Sequence, residues 1–105
     1  MKRKIIVGNK EYTMQKMSVD IYMEYLEIAE SIEKHTRYTK QDIEAMLLFI
    51  CKAYDNQFTV DELKDSETGL DAAGIILEFQ FIDMGVGEEL EKRMEKITKN
   101  FQSGK

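Results

Sequence analysis

The 105-residue sequence contains no proline and no tryptophan, and cysteine and histidine occur once each, as Cys51 and His35. A single cysteine cannot form an internal disulfide, and the composition fits a reducing compartment. One histidine and one cysteine cannot supply a structural zinc set, nor the nucleophile, base and base-orienting group that covalent catalysis needs. Cys51 falls beside Ile50 inside a helical pattern, so it reads as a small core residue, and His35 reads as a solvated loop side chain. No apolar run approaches the roughly 18 residues of a membrane span. The start, Met1-Lys2-Arg3-Lys4, resembles that of an export signal, but only Ile5-Ile6-Val7 follow before the polar Gly8-Asn9-Lys10-Glu11, so none is expected. No Gly/Ser linker and no internal repeat divides the chain.

What is present describes one small globular domain: 43% hydrophobic and 33% charged residues, with a net charge of −5. The charge is uneven. Residues 1–17 carry a net +4, residues 18–34 a net −4, residues 59–87 a net −6, and residues 88–105 a net +1. With the only strong basic excess in a short N-terminal segment and an acidic body, nucleic acid is not an expected partner. Residues 55–71 are acidic, with Asp61, Glu62, Asp65, Glu67 and Asp71, but lack the order of a calcium loop. They read as helix-start charges and a solvated turn. No metal, cofactor or catalytic residue is expected.

The pattern predicts a mainly α fold, four to five helices with a short N-terminal β-hairpin. Lys4–Val7 and Glu11–Met14 are strand-like around Gly8-Asn9, a pair that tolerates the positive φ of a tight turn. Helix starts then recur with one chemistry: a polar cap, an apolar residue just before it, and another five positions after that one. Met17-Ser18 with Tyr22, Tyr38-Thr39 with Ile43, Phe58-Thr59 with Leu63, and Leu70-Asp71 with Ile75 all follow it, and Thr59 with Glu62 is a capping box. The first helix, about 19–34, buries Ile21, Tyr25, Ile28 and Ile32, flanked by Tyr22, Leu26 and Ala29. The second, about 40–54, buries Ile43, Met46, Leu47, Ile50 and Tyr54. A short third, about 60–64, leads to a polar turn at 65–69. Each of these is expected to have one apolar face.

A fourth helix, about 71–84, is apolar nearly all round. Ala73, Leu77, Phe81 and Met84 form one stripe, and Ile75, Ile76, Phe79 and Ile82 another. Such a helix is either central in the core or packed on a second molecule, and the small size of the domain favours the centre. Gly85-Val86-Gly87 is expected to break or bend the chain. The domain proper would then be residues 1–87, with 88–105 a charged C-terminal helix or tail. That tail has favourable pairs Glu88–Lys92, Glu89–Arg93 and Glu95–Lys99, and a narrow seam of Leu90, Met94, Ile97 and Phe101. Leu77, Phe81, Met84, Leu90, Met94, Ile97 and Phe101 are therefore the candidate partner-binding residues.

Three short motifs carry a resemblance. Asn9-Lys10-Glu11-Tyr12 is similar to an N-G-K-x-Y opening. Asn56-Gln57-Phe58-Thr59 followed by Val60-Asp61-Glu62-Leu63 is similar to G-N-Q-F-T and an acidic helix start. Gly69-Leu70-Asp71-Ala72 is similar to D-G-L-x-A before an apolar helix. In this order, over roughly residues 5–85, the chain resembles the tail assembly chaperones of long-tailed phages and prophages of Gram-positive bacteria. It departs in two places: Asp55 stands where glycine is common, and Ser66-Glu67-Thr68 lengthens a turn. The motif residues Asn56, Phe58, Thr59, Glu62 and Leu63 read as a structural corner, with Asn56 ending one helix and Thr59 opening the next.

The resemblance implies a non-catalytic chaperone of the host cytosol, not expected in the mature virion. It would bind the tape measure protein and keep it soluble while tail tube subunits polymerise, the tube protein being a further partner. It also implies a longer product made by frameshifting near the end, with Gly104-Lys105 encoded by a slippery run. The alternatives are a self-assembling phage structural protein, its chains paired through the tail seam as a homo-oligomer, and a small helical regulator or adaptor.

Overall fold

A computed structural model describes the backbone of residues 3–14 and 16–103, and side chains within these as far as Lys99. The sequence-predicted side chain of Phe101 and the pair Gly104-Lys105 lie outside the described residues. The element order is β1 (Arg3–Val7), β2 (Lys10–Met14), α1 (Val19–Glu33), α2 (Lys40–Ala53), α3 (Val60–Lys64) and α4 (Ala72–Ser103). The mainly α fold with an N-terminal hairpin is as the sequence predicts.

β1 and β2 are antiparallel, with Val7 opposite Lys10, so Gly8 and Asn9 alone make the turn. Both have positive φ, 60° and 64°, the geometry that matches the twist of a two-residue hairpin. Ile5, Val7 and Met14 face the core and Ile6 faces water. Ser18, Thr39 and Thr59 cap α1, α2 and α3, each accepting a hydrogen bond from the amide three residues on. Asp71 does the same for α4, taking the Gly74 amide at 2.8 Å.

Two expectations are corrected. The central helix is α2, which packs against α1, α3 and α4. Besides Met46, Leu47 and Ile50 it buries Phe49, Cys51 and Ala53, so its apolar surface is not confined to one face. Helices α1 and α4 both pack on it and touch each other: Tyr25, Phe49 and Phe79 meet where the three helices converge, with ring centroids 4.6–5.6 Å apart. Helix α4 instead buries only one stripe, Ile75, Phe79 and Ile82, and leaves Leu77, Phe81 and Met84 exposed.

The second correction is at Gly85-Val86-Gly87, where the expected break is absent: α4 runs unbroken for 32 residues. Each interior glycine costs about 1 kcal/mol, but neither takes a positive φ. Beyond Ile82 the same face continues with half-buried Val86 and exposed Leu90, and the Arg93–Glu89 pair at 3.1 Å supports the next turn. A helix of this length spans about 48 Å, and the molecule is accordingly elongated, 57 × 35 × 22 Å. The far half of α4 projects from the body.

Candidate protein-binding surface

The motif that carries the resemblance builds a corner between α2 and α3. Asp55 and Asn56 both have positive φ, 58° and 55°. Their amides return to the carbonyls of Lys52 and Cys51 at 3.0 and 2.8 Å, the paired bonds of a Schellman helix end. Aspartate at the usual glycine position is thus accommodated. Gln57 donates to the carbonyls of Tyr54 and Thr13, tying the corner to β2. Phe58 is buried between Tyr12 and Tyr54, with centroids at 5.1 and 5.7 Å. Thr59 and Glu62 form the reciprocal capping box, and Leu63 is fully buried. The side chains of Gln57, Phe58, Thr59, Glu62 and Leu63 are engaged in holding the fold, while Asp55 and Asn56 contribute through their backbone.

The acidic turn is ordered by its own side chains. Asp65 accepts the amides of Glu67 and Thr68 at 2.8 and 3.1 Å, and those amides hold its carboxyl below the usual range. His35 differs from expectation: its Nδ1 lies 3.0 Å from Asp42 Oδ2. Asp42, buried, also accepts the Thr39 amide at 2.9 Å. That amide first, with His35 adding, holds the Asp42 carboxyl below its ordinary value. The pair locks the entry to α2. Cys51 is buried, and burial pushes its thiol up, away from the thiolate form. Among the described residues no group of His, Cys, Asp and Glu is placed to hold a metal, and no helix is long and apolar enough to cross a membrane.

A buried polar network that periodicity does not reveal joins three elements. Glu78 of α4 accepts Nε and Nη2 of Arg3 at 2.7 and 2.8 Å, and the Tyr54 hydroxyl at 2.8 Å. Burial, then the nearby Glu78 carboxylate, pushes the Tyr54 phenol far above its ordinary value. The network clamps the hairpin and α2 to α4. Among the described residues none of its buried side-chain polar atoms lacks a partner.

Against this satisfied interior, the exposed apolar surface is extensive and organised. Leu77, Phe81 and Met84 form one ridge on α4, 46%, 38% and 57% exposed, with the Arg3 guanidinium 4.9 Å from the Phe81 ring. Leu90, Met94 and Ile97 are 58–63% exposed. At about 100° per residue, Leu90 is turned some 120° from Met84, so the two predicted sets occupy different faces. The second set prolongs the buried stripe of α4 beyond the body.

Facing it is a stripe on α1 that a single-stripe reading misses: Val19, Met23 and Leu26, 75%, 55% and 48% exposed. Their i, i+4, i+7 spacing gave the signal, but it lies beside the more strongly apolar core stripe. A groove of about 810 Å³ runs between the two helices. Met17, Val19, Met23 and Leu26 line one side and Val86 and Leu90 the other, with charged Lys16, Glu89 and Arg93. Tyr22 also lines it and donates to Asp83 at 2.9 Å, fixing the spacing of α1 and α4. A concave apolar slot with charged edges is suited to an amphipathic helix.

A family model described as phage tail chaperone protein matches residues 1–102. No curated protein and no solved structure matches the chain.

Proposed function

Because the chain belongs to the phage tail chaperone family, we propose that it binds helical segments of the tape measure protein and keeps that protein soluble in the host cytosol during tail tube assembly. The observation that carries this reading is the open groove between α1 and the projecting half of α4. A very long helical protein exposes apolar stripes until its tube surrounds it, and a shallow apolar slot can cover one stripe reversibly. Binding of this kind needs i, i+3 and i+4 anchors on the client and no catalytic group on the chaperone. The anchoring side chains on this chain are Met23, Leu26, Leu90, Met94 and Ile97. The convex ridge of Leu77, Phe81 and Met84 adds a second, smaller contact, and the tube protein is the further partner that meets the complex when the client is handed over.

Co-expression with the tape measure protein of the same phage tests the proposal. The client is expected in the soluble fraction with the parent chain and in the pellet with Met23→Glu or Leu90→Glu. Leu48→Glu, at an apolar residue of α2 that is 56% exposed and away from the groove, should leave solubility unchanged. Equal solubilisation by all three variants would remove the groove from the account.

A further inference from the structure

The groove and the projecting helix are also complementary to each other. A compact monomer of 12.3 kDa has an accessible surface of about 6,100 Å², whereas this chain exposes 7806 Å². Its radius of gyration is 16.1 Å, against about 13 Å for a compact chain of this length. The surplus, roughly 1,700 Å², exceeds the approximately 800 Å² per partner that a stable dimer buries. Charge is split between the two surfaces. Helix α1 carries Asp20, Glu24, Glu27, Glu30 and Glu33 and no basic residue, Glu24 being paired with Lys52 at 2.6 Å, while after Glu95 the chain carries Lys96, Lys99 and Lys105 and no acidic one.

Direction agrees with charge. Tyr22 meets Asp83 and Tyr25 meets Phe79, so α1 and α4 run antiparallel. A second α4 related by a two-fold axis across the tail therefore runs parallel to α1. It brings its Met94 and Ile97 toward Val19 and Met23, and its lysines toward the acidic side of α1.

We propose that, without a client, two copies of this chain form a reciprocal dimer in which each lays residues 94–99 along the groove of the other. The interface is isologous, so association closes at two copies and does not propagate. The same apolar surface is then covered in the free chaperone and released when a client helix takes the groove. That masking role rests on the client reading above, whereas the dimer itself does not.

Sedimentation equilibrium of the full chain alone, up to about 0.5 mM, reads the first part, since millimolar affinities are detectable there. The parent is expected to dimerise. Lys96→Glu/Lys99→Glu and Asp20→Lys/Glu27→Lys should each weaken the dimer at least about tenfold, and mixing the two variants should restore a 1:1 heterodimer, because opposite charges meet again in both grooves. Helical circular dichroism establishes that both variants remain folded. A strictly monomeric parent, variants that dimerise like the parent, or a mixture that stays monomeric would each overturn the dimer. Adding a tape measure segment should convert the dimer to a complex with one copy of the chain. A client complex that retains both copies would overturn the masking and leave client binding standing, and a client that does not bind would remove the masking while the dimer stands.

Discussion

Replacing Glu78 with alanine is expected to lower the unfolding free energy by about 3–5 kcal/mol, the range for breaking a buried ion pair from one side. Glu78 is 6% exposed and holds three donors from two other elements. Without it the fully buried Tyr54 hydroxyl has no acceptor, which alone costs about 1–3 kcal/mol, and Arg3 no longer fastens β1 to α4. The bidentate geometry makes the Arg3 contact stronger than a surface pair. Tyr54→Phe, which leaves the Arg3 pair intact, should cost only about 1–2 kcal/mol. The combination Arg3→Met, Glu78→Leu and Tyr54→Phe should recover much of the loss, because it removes the polar groups of the network together. Guanidinium titrations of the variants measure all three. A Glu78→Ala loss below about 1 kcal/mol would mean that the pair behaves as a solvated one.

Gly69→Ala is expected to be comparably damaging, at roughly 3 kcal/mol or more, for a steric reason. The Gly69 backbone passes over the end of α3 so closely that a Cβ would overlap the Leu63 carbonyl. The same carbonyl accepts the Leu70 amide at 2.9 Å, so the chain cannot move away without losing that bond. The displacement would propagate to the hairpin, because the neighbouring Thr68 carbonyl accepts the Gly8 amide at 2.7 Å. Thermal unfolding followed by circular dichroism should show a large drop in midpoint for Gly69→Ala. Gly87→Ala provides the contrast: nothing lies near its Cβ position, and it should raise the midpoint slightly through helix propensity.

The features legible in the sequence are those whose partners lie within a few residues. Ser18, Thr39 and Thr59 reach amides three positions away, and Gly8-Asn9 sets a turn by its own φ preference, so local chemistry decides them. The corner at 54–63 was legible for the same reason. The Arg3–Glu78 contact joins residues 75 positions apart, and no periodicity encodes it. Nor did periodicity rank α2 above α4 as the central helix, because burial of Phe49, Cys51 and Ala53 depends on which neighbours flank them. Gly85 and Gly87 suggested a break, yet the buried stripe that ends at Ile82, half-buried Val86 and the Arg93–Glu89 pair sit on either side of them, and the helix continues despite a penalty of about 1 kcal/mol each.

The candidate surface was half visible. Leu90, Met94 and Ile97 stood out as a seam because nothing else on the tail is apolar. Their counterpart on α1 did not, since Val19, Met23 and Leu26 sit beside the stronger stripe of Ile21, Tyr25, Ile28 and Ile32. Leu77, Phe81 and Met84 are a separate stripe in the sequence, and the uninterrupted helix fixes its angle to the seam, on another face of α4. An unbroken α4 is what turns a separate tail into one wall of a groove.

The most direct test of client binding is a spin label on a helical segment of the tape measure protein, read through the amide resonances of the isotopically labelled chain. The account predicts broadening concentrated at residues 19–26 of α1 and 86–97 of α4, with the hairpin and the 54–63 corner unaffected. Broadening confined to the hairpin or the corner, with the groove residues untouched, would contradict it.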